Sequence, residues 1–282
     1  LELELSDSVH KDLVKNTFGA VTAESKLRQH DNKLVNRVTT STTTFSLGLQ
    51  VEGINSLEEA MDAYFEPAIR EVDDEEDIDE ETGKPKKNKF EYTNRFVELP
   101  HVLCIQLSRF SFDYSRNVPI KHNHHVEFPE LLDISKFVEE DACEGSTTYR
   151  LRGVLVHLGP SANQGHYYSI IKLGDLADAE TPFLKFNDNY VSEADSLEDE
   201  CFGGERPVSR KDHYGHVNTV MSEKNWNAYL LFYERTGTSQ VTAEEETHVA
   251  QQLAELKLDT EEYSKIRRDQ EVEVQMANEK LW

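Results

Sequence analysis

The feature that most constrains this chain is an unbroken series of strand-forming segments between residues 91 and 235. RFVELPHVLCIQLSRFSFDY, VPIKHNHHVEFPELLDISKFV, YRLRGVLVHLG, GHYYSIIKLG, PFLKFNDNYVSE and NAYLLFYER follow one another, separated by Gly, Pro, Asn and Asp. β-Branched and aromatic residues in short runs bounded by turn formers read as strands, and neighbours this close in sequence pair antiparallel. The segments predict one mixed, mostly antiparallel sheet with flanking helices, an α+β domain.

Upstream, Val9, Leu13, Val14 and Phe18 are spaced as on a short amphipathic helix over 8–19, with Gly19 placed to stop it. In 35–51 the alternation of Phe45, Leu47, Leu49 and Val51 with polar residues predicts a half-buried strand. Ser56 followed by Glu59 forms a capping box that opens a helix carrying Leu57, Ala60, Met61, Tyr64 and Phe65. Residues 71–81 hold nine carboxylates in eleven positions and are followed by Lys84, Lys86, Lys87 and Lys89. That density predicts a solvated, flexible insertion over 71–90, between an N-terminal block (1–70) and the main domain (91–235). The tail, 236–282, opens another charged helix at Thr242.

Charge removes several function classes. With Lys+Arg 30 and Asp+Glu 54, the net charge is −24, opposite to what a nucleic-acid backbone requires. No apolar run is long enough to span a bilayer, and the N-terminal residues lack the basic-then-apolar order of a secretory signal. Cys104, Cys143 and Cys201 lie far apart without a C-x-x-C pair, which signals neither disulfides nor a thiolate metal site. A reducing compartment, cytoplasmic or nuclear, fits this usage. The chain begins at Leu1, in mid-element, and reads as part of something longer.

The histidines carry the chemistry. VHLGPSANQGHYYSII sets His166 after a glycine-containing loop at the start of an aromatic strand, and KFNDNYVSE supplies Asn187 and Asp188 at the end of the next. A hairpin centred near 176–177 puts His166 opposite Asn187. An amide or carboxylate that accepts from one imidazole nitrogen leaves the other free to take a thiol proton, as in Cys-His-Asn proteases. None of the three cysteines suits that nucleophile: Cys104 lies in an apolar strand, and Cys143 and Cys201 have acidic neighbours. His122, His124 and His125 lack the spacing of metal ligands.

These segments resemble the ubiquitin-specific protease catalytic domain from about residue 98 to 235. VELPHVLCIQLSRFSFD is similar to the family's leucine-rich strand ending in an R-F pair, YRLRGVLVHLGPSANQGHYYSII to its histidine box, KFNDNYVSE to its Asn/Asp segment and NAYLLFYER to its closing strand. ECFGGE before the closing strand resembles the very large members. The resemblance implies a papain-like palm with β-fingers, and a helical thumb largely missing. It implies His166 as general base, Asn187 as orienting group, Asp188 as auxiliary, and Gly165 and Tyr167 lining the channel for the ubiquitin tail. It further implies ubiquitin and ubiquitinated proteins as partners, with no cofactor.

Two departures stand out. The family's cysteine box, a G-N-T-C-like motif, is absent, so the nucleophile is expected upstream of Leu1 and the chain alone is expected to be inactive. The paired C-x-x-C motifs that hold zinc in the fingers of many relatives are also absent, leaving no expected metal. Two other readings stay open: a ubiquitin-binding module without catalysis, and an acidic scaffold for basic partners.

Overall fold

The computed structural model describes residues 13–29, 33–140, 145–161, 164–174, 176–178, 180–211 and 216–237. The part of the expected 8–19 helix that falls within them is α1 (Leu13–Phe18), closed by a bond from Gly19 N to Lys15 O of 2.7 Å. The expected helix at Thr242 and Cys143 lie outside the described residues.

The expected single strand over 35–51 is two. Strand β1 (Ala20–Arg28) pairs with β2 (Lys33–Thr44), the Thr-rich half, whereas β3 (Leu47–Gln50) joins a different sheet. Chemistry explains the division: Leu47, Leu49 and Val51 are fully buried, and the chain leaves one sheet for the other at the exposed Phe45–Ser46 step. Helix α2 (Leu57–Phe65) follows, with Ser56 Oγ accepting from Glu59 N at 3.2 Å and Glu59 Oε2 accepting from Asn55 N at 3.1 Å. It buries Leu57, Met61 and Phe65, each contributing about 1.5–3 kcal/mol.

The acidic segment corrects the expectation of a flexible insertion. It forms β4 (Ala68–Ile78), which pairs with β5 (Pro85–Glu98) in the four-stranded antiparallel sheet β2-β1-β5-β4. The register sets Glu71 against Lys89, Asp73 against Lys87 and Asp74 against Lys86, which places opposite charges across the ladder, and Lys86 Nζ ion-pairs with Asp77 at 3.4 Å. Asp74 is buried and ion-paired with Arg28 Nε at 2.7 Å, and its other donors are Asn88 Nδ2 at 2.9 Å and Glu76 N at 3.1 Å. Burial by itself would raise the Asp74 carboxyl, but Asn88, the Glu76 amide and Arg28 outweigh it and hold it below the usual carboxylate range. The run is therefore part of the sheet that also holds β1 and β2.

The remaining strands are β6 (Val102–Ser108), β7 (Phe110–Asp113), β8 (Val118–Lys121), β9 (Leu131–Asp133), β10 (Thr148–Ser161), β11 (Gln164–Lys172), β12 (Phe183–Asn187) and β13 (Tyr190–Glu193). Helix α3 (Leu197–Cys201), the hairpin strands β14 (Glu205–Lys211) and β15 (Val217–Glu223), and β16 (Trp226–Arg235) complete the order. The main sheet runs β13-β12-β11-β10-β16-β6-β3, with β9 added beside β10 and only β3–β6 parallel. The pairs β7–β8 and β14–β15 form two further two-stranded sheets.

One row across the main sheet shows how its core is built. Leu47, Ile105, Leu231, Val154 and Ile170 face one another on successive strands, and all are buried. The row ends on Lys185, which is also buried. An ammonium there needs a partner, and α3 supplies one, Glu200.

Candidate active site

His166 sits near the start of β11, on the face that carries Tyr168 and Ile170 into the core. The hairpin is displaced by two residues from the expected register. Ser169 pairs with Phe186 and Ile170 with Lys185, so that one further step sets Tyr168, not His166, across from Asn187. A one-residue displacement would have put His166 and Asn187 on opposite faces; a displacement of two keeps them on the same face as diagonal neighbours.

The contact is made. His166 Nε2 and Asn187 Oδ1 are 2.5 Å apart. An amide oxygen can only accept, so Nε2 carries the proton and Nδ1 of the neutral ring is the basic nitrogen. Asp188 Oδ2 lies 3.7 Å from the same Nε2. Asn187 pairs with Tyr190 about a two-residue turn, in which Asp188 takes φ 51°, a left-handed conformation that short polar side chains tolerate. The imidazole is 39% exposed, so a reacting group can reach it.

Gly165 has no room for a side chain. At φ +152° a Cβ would fall 2.4 Å from Leu158 O and 2.5 Å from His157 Nε2, and Gly159 packs against the same backbone. The two glycines let β10 and β11 close tightly just before His166. Tyr167 projects from the opposite face, 43% exposed, with its ring 4.9 Å from that of His157 and 6.0 Å from that of Tyr229.

Two buried polar clusters escaped the sequence reading. Behind His166 and Asn187, Lys185 Nζ donates to Glu200 Oε2 at 2.9 Å, and Tyr168 Oη donates to the same oxygen at 3.0 Å. A lysine inside the apolar strand FLKFN was the available signal. Arg109, fully buried, spreads its guanidinium over the carbonyls of Ala228, His122, His124 and Phe202 at 2.8–3.4 Å. Burial lowers it to about 10, so it stays charged at neutral pH. The R-F pair held that signal, since an arginine closing an apolar strand must have acceptors.

Other candidates are placed elsewhere. Cys104 and Cys201 are buried, and burial pushes both thiols up, so neither is an activated nucleophile. The three clustered histidines take different polar partners: His122 bonds Ser111 and lies edge-on to the His124 ring at 6.2 Å, His124 contacts the carbonyls of Val51 and Ile54, and His125 packs edge-on against Phe202. Among the described residues no group of three or more His, Cys, Asp or Glu is arranged to hold a metal ion, and no helix is long and apolar enough to cross a membrane.

Comparison with known proteins bears on the whole constellation. A family model described as ubiquitin carboxyl-terminal hydrolase matches residues 2–233. The mouse ubiquitin carboxyl-terminal hydrolase 9Y is 37% identical over 169 residues, 49% of this chain and 7% of that relative. The human ubiquitin carboxyl-terminal hydrolase 24 is 30% identical over 257 residues, 79% of this chain and 9% of the relative. The fission-yeast (Schizosaccharomyces pombe) ubiquitin carboxyl-terminal hydrolase 15 is 38% identical over 159 residues, 53% of this chain and 13% of the relative. The chain thus spans a small fraction of the length of the curated relatives it matches. A chain from a structure of the yeast SAGA DUBm shares the fold at a TM-score of 0.53 and 21% identity, covering 86% of this chain and 45% of that one. With its family model matched over nearly the whole chain and its sheet mostly antiparallel, the chain belongs to the ubiquitin carboxyl-terminal hydrolases of the ubiquitin-specific protease type.

Proposed function

We propose that this chain is the base-bearing part of a thiol-dependent deubiquitinase, which hydrolyses the peptide or isopeptide bond after the ubiquitin C-terminal glycine. The observation that carries the reading is the 2.5 Å contact of His166 Nε2 with Asn187, which leaves Nδ1 as base. The nucleophilic cysteine of this reading is neither Cys104 nor Cys201, both of which are buried. Its thiol passes a proton to Nδ1 and the thiolate attacks the glycine carbonyl. The imidazolium then protonates the leaving amine, and water, deprotonated by the same nitrogen, releases ubiquitin. Asn187 keeps the ring oriented through the cycle and Asp188 steadies the imidazolium. Gly165 and the exposed Tyr167 flank the path of the extended ubiquitin tail.

The test is release of a fluorogenic C-terminal amide from ubiquitin by the longest reading frame that contains this sequence. His166→Ala is expected to lower turnover by about 10²–10⁴-fold, the range of a general base. Asn187→Ala is expected to act more mildly because Asp188 lies on the same nitrogen. Undiminished turnover by His166→Ala refutes the assignment. A second reading, a ubiquitin-binding module without catalysis, draws on the burial of both Cys104 and Cys201. It is supported if that protein binds ubiquitin and releases nothing.

A further inference from the structure

Lys121, the last residue of β8, donates from Nζ to three backbone carbonyls: His157 O at 3.1 Å, Gly159 O at 2.9 Å and Asn225 O at 2.8 Å. An ammonium has three N–H donors, and each has an acceptor. The first two acceptors bracket Leu158, and Leu158 is the residue paired with His166 across β10 and β11. Gly159 N also donates to Asn225 O at 2.9 Å, so the end of β10, the residue before β16 and the lysine close into one cluster. Gly165 then approaches the bracketed residue so closely that an added Cβ would meet Leu158 O at 2.4 Å. Any shift of the backbone at 157–159 is therefore passed to Gly165 and His166 by direct contact.

We propose that Lys121 is a positioning residue for His166: its ammonium pins the backbone on both sides of Leu158 and so holds the register that aims the imidazole at Asn187. The inference rests on the reading of His166 as general base, and it concerns where that ring is held. The positive charge is essential to the clamp. A neutral amine keeps two donors and turns a lone pair toward the third carbonyl, which loosens one leg of the tripod.

The groups around Lys121 bring that loss within reach of neutral pH. Burial lowers its ammonium to about 7, the Arg109 guanidinium from the end of β6 acts in the same direction, and the Glu223 carboxylate from β15 opposes them. His157 on β10 is lowered to about 4 by burial and by Lys121 itself, and it stays neutral where Lys121 titrates. His122 follows Lys121 in the chain and bonds Ser111.

The test is nuclear magnetic resonance on this chain, with ¹⁵N-labelled histidine rings, ¹³C-labelled lysine side chains and ¹⁵N backbone amides, titrated from about pH 5.5 to 9. The Gly159 and Gly165 amides are expected to move with the midpoint of the Lys121 side chain. They should do so also in His166→Gln, where the imidazole contributes no titration. His166 is expected to show the Nε2–H tautomer. In Lys121→Met its ratio to the Nδ1–H form should fall at least fivefold. Lys121→Arg, which keeps the charge, should restore most of that ratio and abolish the inflection. A wild-type tautomer ratio in Lys121→Met overturns the proposal. If that variant does not fold, the wild-type titration decides alone, and Gly159 and Gly165 amides that ignore the Lys121 midpoint overturn it. Failure of the general-base reading is separate, because it appears as retained turnover in His166→Ala and leaves the Lys121–His166 coupling measurable.

Discussion

Replacing Glu200 by alanine tests whether the polar cluster behind the His166–Asn187 pair is an integral part of the sheet. The carboxylate is 4% exposed and is the counter-charge of Lys185, itself 8% exposed, at 2.9 Å. Removing one partner of a buried pair strands the other, at a cost of about 3–5 kcal/mol. The Tyr168 hydroxyl also loses a carboxylate acceptor at 3.0 Å, adding about 1 kcal/mol. A total near 5 kcal/mol lowers the melting temperature of a domain of this size by roughly 10–20 °C. Urea denaturation followed by circular dichroism reads the loss directly as a lower midpoint at unchanged slope. The double variant Lys185→Met with Glu200→Leu removes both charges, and it should recover most of the loss because an apolar pair carries no stranded ion. A loss below about 1 kcal/mol in Glu200→Ala would rule out a stranded ion, since it would mean that Lys185 finds water or another acceptor. A double variant as unstable as the single one would do the same.

Gly165→Ala places a Cβ against Leu158 O and His157 Nε2; it should lower turnover by about 10²-fold through displacement of His166, and unchanged kcat would contradict this. Asp74 has its carboxyl held below the ordinary range, so it stabilises the β4–β5 hairpin above about pH 4 and that contribution is lost as the pH falls through the folded value. Amide protection in β4 and β5 should therefore weaken selectively in acid, and Asp74→Asn should remove the selectivity. His157, lowered to about 4 against about 6.5 in an unfolded chain, binds a proton more readily when unfolded. Global stability should decline from about pH 6.5 towards 4, and His157→Gln should flatten that part of the profile, as read by urea midpoints.

Much of the fold was legible because the strands have two-residue periodicity and turn chemistry between them. The capping box at Ser56 and the apolar face of α2 were written locally, and the structure forms both, except that Tyr64 of the expected face is exposed. The acidic run was not legible as a strand because what stabilises it is non-local. Its partners are the lysines of β5 and Arg28 on β1, and composition alone describes a solvated segment. The strand expected over 35–51 divides for a related reason: alternation marks extended backbone but not which sheet receives it. At the site, the closeness of His166 to Asn187 and Asp188 was readable, whereas the exact register was not. Lys121, Arg109 and Glu200 were missed because each acts on backbone carbonyls or a buried ion from a distant element, which leaves no periodic trace in the chain.

The most direct test of the central claim is to treat the longest reading frame containing this sequence with ubiquitin bearing a C-terminal electrophile, and to locate the adduct by mass spectrometry. The adduct is expected on a cysteine other than Cys104 or Cys201, and labelling should slow by at least 10²-fold in His166→Ala. Attachment to either of those buried thiols, or labelling at the wild-type rate without His166, would contradict the account.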